Sequence, residues 1–437
     1  MLLFRAMRFS QVREGSTTQA VFHAWPLFLA MALIMLGNGL QGTLIGLRAT
    51  LEGFPPAVTG FVMSGYFVGF LFGSTLAPKL MWQVGHIRVY AGLASLASTA
   101  TLAHLIIINP FAWGLFRIVT GFCLAGLYIV AESWLNGAST NANRGKLLSI
   151  YMLTFSLAMA GSQGLLRFDD PGGFKLFLAA SVLVSLAVVP ISLTPTRAPA
   201  FEEPSGVPIR ELFRAAPLGM IGAAVTGLSN GALLSGGPVY GSEAGMSAAR
   251  VGLFIGLSLI GQLVFQWPIG SLSDRVSRRR VILAVTTIAG ITAGFAIQLD
   301  PLGTMFLVAA FVFGGMTFPM YSLSVSHVID VVPEDKLVAA SAAMILVNGL
   351  GAIAGPIIAT VTLTFLGPEG FWIALAFVHG AFGFFASYRV LARRNIDVTK
   401  GAYLPIPSRA TLAAHRMLRD RAHVDVSSGT SSDKVDP

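Results

Sequence analysis

Hydrophobic residues along the chain fall into long blocks separated by short polar breaks. A helix crossing the hydrocarbon core of a bilayer needs about 20 mostly apolar residues. Blocks of that size occupy 25–47, 57–80, 88–108, 111–136, 145–166, 173–193, 216–240, 249–271, 280–299, 303–328, 337–366 and 371–391. The pattern predicts an all-α, polytopic membrane protein with 12 transmembrane helices. Several breaks carry helix-ending residues, among them Pro55, Pro110, Gly172 and Pro301. The longest, 194–215, begins TPTRAPAFEEPSGVPIREL and separates six blocks from six. The expected organisation is an N-terminal six-helix bundle at 1–193, a linker at 194–215, a C-terminal six-helix bundle at 216–392 and a polar tail at 393–437. The composition of the tail predicts disorder. Within it, SRATLAAHRMLRDRA (408–422) is basic enough to weigh as a membrane-surface helix against a solvated tail.

Composition agrees with the pattern. Charged residues make up 11% of the chain and hydrophobic ones 54%, whereas a soluble domain carries roughly 25% charged residues. The net charge of +9 could suit nucleic acid, but its distribution points to a membrane instead. With the N-terminus inside, 24 of the 29 Lys and Arg fall in cytoplasmic loops and tails, and four (Arg48, Arg167, Lys175, Arg250) fall outside. That bias predicts both termini in the cytoplasm. The first 22 residues carry Arg5, Arg8 and Arg13 without a small-residue cleavage site, as in a cytoplasmic tail and not a signal peptide. The single cysteine, Cys123, lies in an apolar block and excludes internal disulfides and cysteine-based metal clusters.

The two halves repeat one another. At an offset of 192, Asn38-Gly39 meets Asn230-Gly231, Gly60 meets Gly252, Gly69 meets Gly261 and Arg88 meets Arg280. At an offset of 190, Lys146-Leu147 meets Lys336-Leu337 and Gly161 meets Gly351. Parallel six-helix repeats are an architecture in which two halves rock around a midplane site.

Between blocks eight and nine lies GSLSDRVSRRR (270–280). Gly270 permits close helix approach, and Asp274 can accept bonds from a helix N-terminus. Arg275, Arg278, Arg279 and Arg280 can pair with carboxylates or lipid phosphates. This loop closely resembles the Gly-x-Leu-x-Asp-Arg-x-x-Arg-Arg signature of the major facilitator superfamily. The resemblance implies a breakable cytoplasmic latch; the plainer alternative is a basic loop that only sets topology. The symmetry-related loop, PKLMWQVGHIR (78–88), keeps Lys79, Gly85 and Arg88 but has Trp82 in place of the aspartate. Glu132 in block four, or its counterpart Asp330 in block ten, could pair with the neighbouring arginines. The segments AESWLNGASTNANRGKLLSIYM and YSLSVSHVID are similar to the YcaD-like subgroup of the superfamily.

Polar residues within the blocks are the candidate binding groups, because ionisable side chains there are costly and usually face a cavity or partner. Arg117, with Gly121, resembles the family's helix-four Arg-x-x-x-Gly motif. At 100° per residue Tyr128 shares its face, and the alternative is an arginine snorkelling to the outer interface. Asn38 and Gln41 in block one, and Asn230 in block seven, lie where the resemblance places cavity-lining helices; interhelical hydrogen bonding is the alternative. Gln262 and Tyr321 are weaker cavity candidates. His327, three residues from Asp330, is a candidate proton relay with Glu132 and Asp330. In block eleven, GLGAIAGP (349–356) is a possible kink site.

No phosphate loop, nucleophile constellation or metal-ligand spacing occurs, so no cofactor, metal or enzymatic activity is expected. The expectation is a monomeric secondary transporter in the bacterial inner membrane, moving a small organic solute by alternating access, with protons as candidate coupling ions and no nucleic-acid partner. The alternative is a transport-dead sensor or assembly subunit built on the same fold.

Overall fold

A computed structural model describes residues 24–137, 139–140, 143–192, 209–333, 336–392 and 403. The N-terminal arginines and the 408–422 stretch lie outside the described residues. All regular structure among the described residues is helical. The first half comprises α1 (Trp25–Leu51), α2 (Pro56–Val84), α3 (His86–Ile106), α4 (Pro110–Gly137), α5 (Arg144–Gln163) and α6 (Lys175–Ser192). A short α7 (Ile209–Ala215) follows. The second half comprises α8 (Pro217–Glu243), α9 (Ala248–Arg275), α10 (Arg278–Ala296), α11 (Thr304–Ile329), α12 (Leu337–Leu366) and α13 (Glu369–Ala392). Prolines open α2, α4 and α8, where a missing N–H costs nothing because the first turn has no intrahelical acceptor for it.

Eleven of these helices are long and apolar enough to cross a membrane. The element predicted at 145–166 forms as α5, a 20-residue helix, but Arg144, Lys146 and Gln163 with its serines and threonine keep it outside that set. It packs against α1 and α9, with Ser156, Ser162 and Gln163 buried. The last part of the expected linker is the helix α7, which buries Leu212 and ties to the start of α12 through Lys336 and Glu211.

Glycines set the close helix crossings. On α2, Gly65, Gly69 and Gly73 recur every four residues and face the backbone oxygens of Gly114, Ile118 and Phe122, which recur every four residues on α4. The matching crossing in the second half puts Gly261 of α9 on Phe311 O of α11. Helices without a solvent-driven hydrophobic force between them associate through such small-residue contacts. The repeat extends to α1 and α8: Gly39 lies on Ser162 of α5, and Gly231 lies on Ala352 of α12.

Two helices are interrupted near mid-length. In α8 a π-helical turn, Ala232–Gly236, precedes Pro238. The proline ring cannot accommodate the regular i−4 carbonyl, and the wider turn absorbs the misfit. In α11 the helix pauses at Phe318-Pro319. In α12, where 349–356 was the possible kink site, the helix runs unbroken through Pro356.

The loops at 85, 139–140 and 277, with α7, define one basic end of the molecule. Contacts joining the halves lie toward the other end. There Ser64 Oγ donates to Ile353 O at 2.8 Å and Ala57 N to Thr364 Oγ1 at 3.1 Å. Gly60 lies on Pro356 and Thr360, Gly252 on Gln163, and Gly46 on Pro238.

Candidate functional site

Between the halves, at mid-depth, two neighbouring cavities share Tyr66 of α2 as a wall. The close α2–α4 crossing puts the Arg117 guanidinium 4.7 Å from the Tyr66 ring centroid. Arg117 is 2% exposed, so it does not reach the surface as a snorkelling arginine would. Around it stand Asn38, Thr43, Gln163 and Ser235. Asn38 Nδ2 donates to the Tyr128 phenol at 3.1 Å and to the Tyr66 phenol at 3.4 Å. Thr43 Oγ1 donates to Gln163 Oε1 at 2.7 Å, and Gln163 Nε2 donates to Gly39 O at 3.1 Å. Gln163 thereby joins α5 to α1 on the cavity wall.

The second cavity is lined by Phe70 and Ser74 of α2, Asn230 of α8 and Asn348 of α12. Asn348 Nδ2 donates to Ala223 O at 3.0 Å, which satisfies its amide within the second half. The named lining of the two cavities carries one cation, Arg117, and no carboxylate.

The expected cavity residues therefore separate. Asn38, Arg117 and Asn230 line the cavities, and Tyr128 supports Asn38 from behind. Gln41 is not among the lining residues of either cavity: its Nε2 donates to Thr101 Oγ1 of α3 at 2.9 Å inside the first half. Gln262 and Tyr321 are absent from the lining residues of both cavities; Tyr321 is fully buried in α11. Tyr66, Gln163 and Asn348 were missed in the sequence. Asn348 was the most legible of them, as a lone amide in an apolar block.

At the basic end, Arg278 lies 3.1 Å from Asp330 and 3.6 Å from Asp274. Arg278 and Asp330 are 2% and 7% exposed, so this pair is buried, whereas Arg88, Arg275 and Arg280 are exposed. Arg279 is half-buried. Glu132 is buried and accepts a bond from the Tyr151 phenol of α5 at 3.1 Å. His327 packs beside Gly219 of α8. His379 is bonded on both ring nitrogens, to Ser229 at 2.9 Å and Thr286 at 3.0 Å. No cluster of His, Cys, Asp or Glu able to hold a metal occurs among the described residues.

Two pseudo-symmetric helical bundles with cavities between them have the architecture of a membrane transporter. The family model of the Major Facilitator Superfamily matches residues 27–260 and 219–420, and the chain belongs to that superfamily. It is 29% identical over 336 residues to an uncharacterized MFS-type transporter of Yersinia enterocolitica, covering 76% of this chain and 86% of that one. It is 28% identical over 333 residues to the uncharacterized MFS-type transporter YcaD of Escherichia fergusonii, with the same coverage. These relatives make it a transporter of the YcaD-like kind. Among solved structures, the nucleoside transporter NupG aligns with a TM-score of 0.73 at 15% identity, covering 85% of this chain and 100% of that one. An inward-facing bacterial homologue of the lysosomal transporter Spinster aligns with a TM-score of 0.63 at 16% identity, covering 94% and 99%. At these identities the likeness is one of fold.

Proposed function

We propose that the protein is a secondary carrier of a small organic solute bearing an anionic or strongly accepting group. It works by alternating access in the bacterial inner membrane, with 1–193 and 216–392 as the moving halves and both termini in the cytoplasm. The observation that carries this reading is the cavity itself. Arg117 and Asn38 of one half share a cavity with Leu234 and Ser235 of the other, Tyr66 divides it from the cavity of Asn230 and Asn348, and the closest contacts between halves lie to one side. The basic end faces the cytoplasm by charge bias, so this arrangement corresponds to an inward-open carrier. Arg117 is a fixed positive charge on a lining without a carboxylate, which favours an anion over a cation.

Proton coupling would run through Glu132, Asp330 and His327, which stand on the basic-end side of the cavity. The carrier is proposed to act as a monomer.

Purified protein in proteoliposomes, offered a panel of organic acids, nucleosides and cationic drugs, tests the reading. Flux of at least one acidic solute is expected, with a fall of tenfold or more in Arg117→Ala, the order expected for losing a charged hydrogen bond of about 1.5–3 kcal/mol. Flux confined to cations and indifferent to Arg117→Ala would sink the anion assignment. Absence of flux across the whole panel would sink the carrier.

A further inference from the structure

One contact links the C-terminal segment to the signature loop. The Tyr403 backbone N–H donates to Asp274 Oδ1 at 2.8 Å. Gln266 Nε2 of α9 donates to the Tyr403 phenol oxygen at 2.8 Å and to Ser322 Oγ of α11 at 3.1 Å. The Ser322 hydroxyl also bonds the phenol. The ring rests on Gly270: a Cβ there would stand 2.6 Å from Tyr403 Cε1 and 3.1 Å from Cγ, too close for any side chain. Gly270 and Asp274 of the signature are therefore the floor and the acceptor of a seat that holds Tyr403 between α9 and α11. Burial pushes the phenol above its ordinary range, which keeps it protonated. Residue 403 lies eleven positions past Ala392, the end of α13. That length of chain reaches up to about 36–40 Å, enough to return from α13 to α9 at the same end.

The pairing of α5 with α9 gives this seat a consequence. The two helices run antiparallel and meet at the far end, where Gly252 lies on Gln163. Their other termini, α5 with Arg144 at its first position and α9 with Asp274 at its last turn, stand at the basic end. If the halves rock about the far-end contacts, as the carrier reading requires, closing the basic end brings Asp274 toward the start of α5. A helix start offers a carboxylate backbone N–H groups and the positive end of the dipole. Tyr403 supplies Asp274 with a backbone N–H already, and its ring fills the groove beside it.

We propose that the α9–α11 groove is a docking site for the chain's own C-terminal segment, with Tyr403 as its anchor. The docked segment is a strap that holds Asp274 within the second half and favours the state open at the basic end. Undocking would release Asp274 and let that end close, so the C-terminal segment sets the balance between the two states.

The test uses the full-length protein in lipid nanodiscs, in a Cys123→Ala background. Spin labels go on Thr140→Cys and Pro333→Cys, two exposed positions in the loops of opposite halves at the basic end. Pulsed dipolar spectroscopy then gives the distribution of distances between the halves. Tyr403→Ala should enrich the short-distance population about three- to tenfold over the parent, the scale of one or two buried hydrogen bonds. Truncation after Ala392 should do the same. Tyr403→Phe, which keeps the ring and the backbone N–H, should fall between, and it serves as the folded variant if Tyr403→Ala is not recovered. Two populations whose ratio ignores all three changes would overturn the strap while leaving the carrier intact, even if melting temperatures fall. A single fixed distance in every variant would overturn the strap and the rocking motion together.

Discussion

Gly60 and Gly252 make equivalent contacts from opposite halves. Gly60 of α2 lies against the Pro356 carbonyl of α12, and Gly252 of α9 lies against the Gln163 carbonyl of α5. Each glycine lets a helix of one half touch the backbone of the other half at the same end of the molecule. A Cβ on Gly60 would come within 2.8 Å of the Pro356 oxygen, closer than any side chain tolerates against backbone.

Substituting either glycine by valine should therefore weaken closure at that end, Gly60 through Pro356 and Thr360 outside the cavity lining and Gly252 through Gln163 of the wall. Overpacking a tight contact costs about 1–3 kcal/mol, roughly a five- to 150-fold shift in a two-state ratio. Gly60→Val and Gly252→Val should each raise the reactivity of an introduced cysteine at Ser235 toward a membrane-impermeant thiol reagent added outside. Unchanged labelling in both variants would mean that these contacts do not seal the cavity.

The contact of Arg117 with Tyr66 makes a second separable claim. A guanidinium over an aromatic face contributes about 0.5–2 kcal/mol, and a lysine does not reproduce its planar stacking. Tyr66→Leu should lower solute affinity about two- to thirtyfold on that scale, and Arg117→Lys should recover only part of what Arg117→Ala loses. Isothermal titration with a transported solute checks both. Full recovery by lysine would show that charge alone matters and that the ring is a passive wall.

Much of this fold was legible in the sequence because bilayer length and glycine spacing are strong constraints. The 192-residue offset that paired Gly60 with Gly252 and Gly69 with Gly261 in the sequence corresponds to matching packing positions in space. The cavity was legible only in part. Arg117 stands out because a charge in an apolar block has few stable places. An amide in the same block can satisfy itself against any neighbouring helix, as Gln41 does on Thr101 and Asn348 on Ala223, so sequence does not tell the lining amide from the structural one. Tyr66 was hidden for a different reason. An aromatic residue among apolar ones gives no hint of a cavity until the α2–α4 crossing places Arg117 over it.

Gln41 provides a control for the cavity assignment. Its bond to Thr101 is an interhelical hydrogen bond inside the first half, and such bonds average about 0.6 kcal/mol in membranes. Gln41→Leu should lower thermal stability slightly and leave solute affinity where it was, and Thr101→Val should add little in the double variant because the pair is one interaction. A marked loss of affinity in Gln41→Leu at unchanged stability would return this residue to the binding surface.

The ion pair of Arg278 with Asp330 is buried on both sides, and this decides the sign of its perturbation. Removing one member strands the other charge in a poorly solvated site, at a cost of about 3–5 kcal/mol, whereas replacing both by hydrophobic residues of similar volume is often near neutral. Arg278→Gln and Asp330→Asn should each lower the melting temperature of the purified protein sharply, and a double variant, Arg278→Met with Asp330→Leu, should recover most of the loss. Arg278 also faces Asp274 at 3.6 Å, but Asp274 is 44% exposed and water screens its charge, so Asp274→Asn should shift the melting temperature far less. Equal losses from Asp274→Asn and Asp330→Asn would mean that Arg278 is shared evenly between the two acids, and that the charges at this end form a three-member network and not a buried pair with an exposed neighbour.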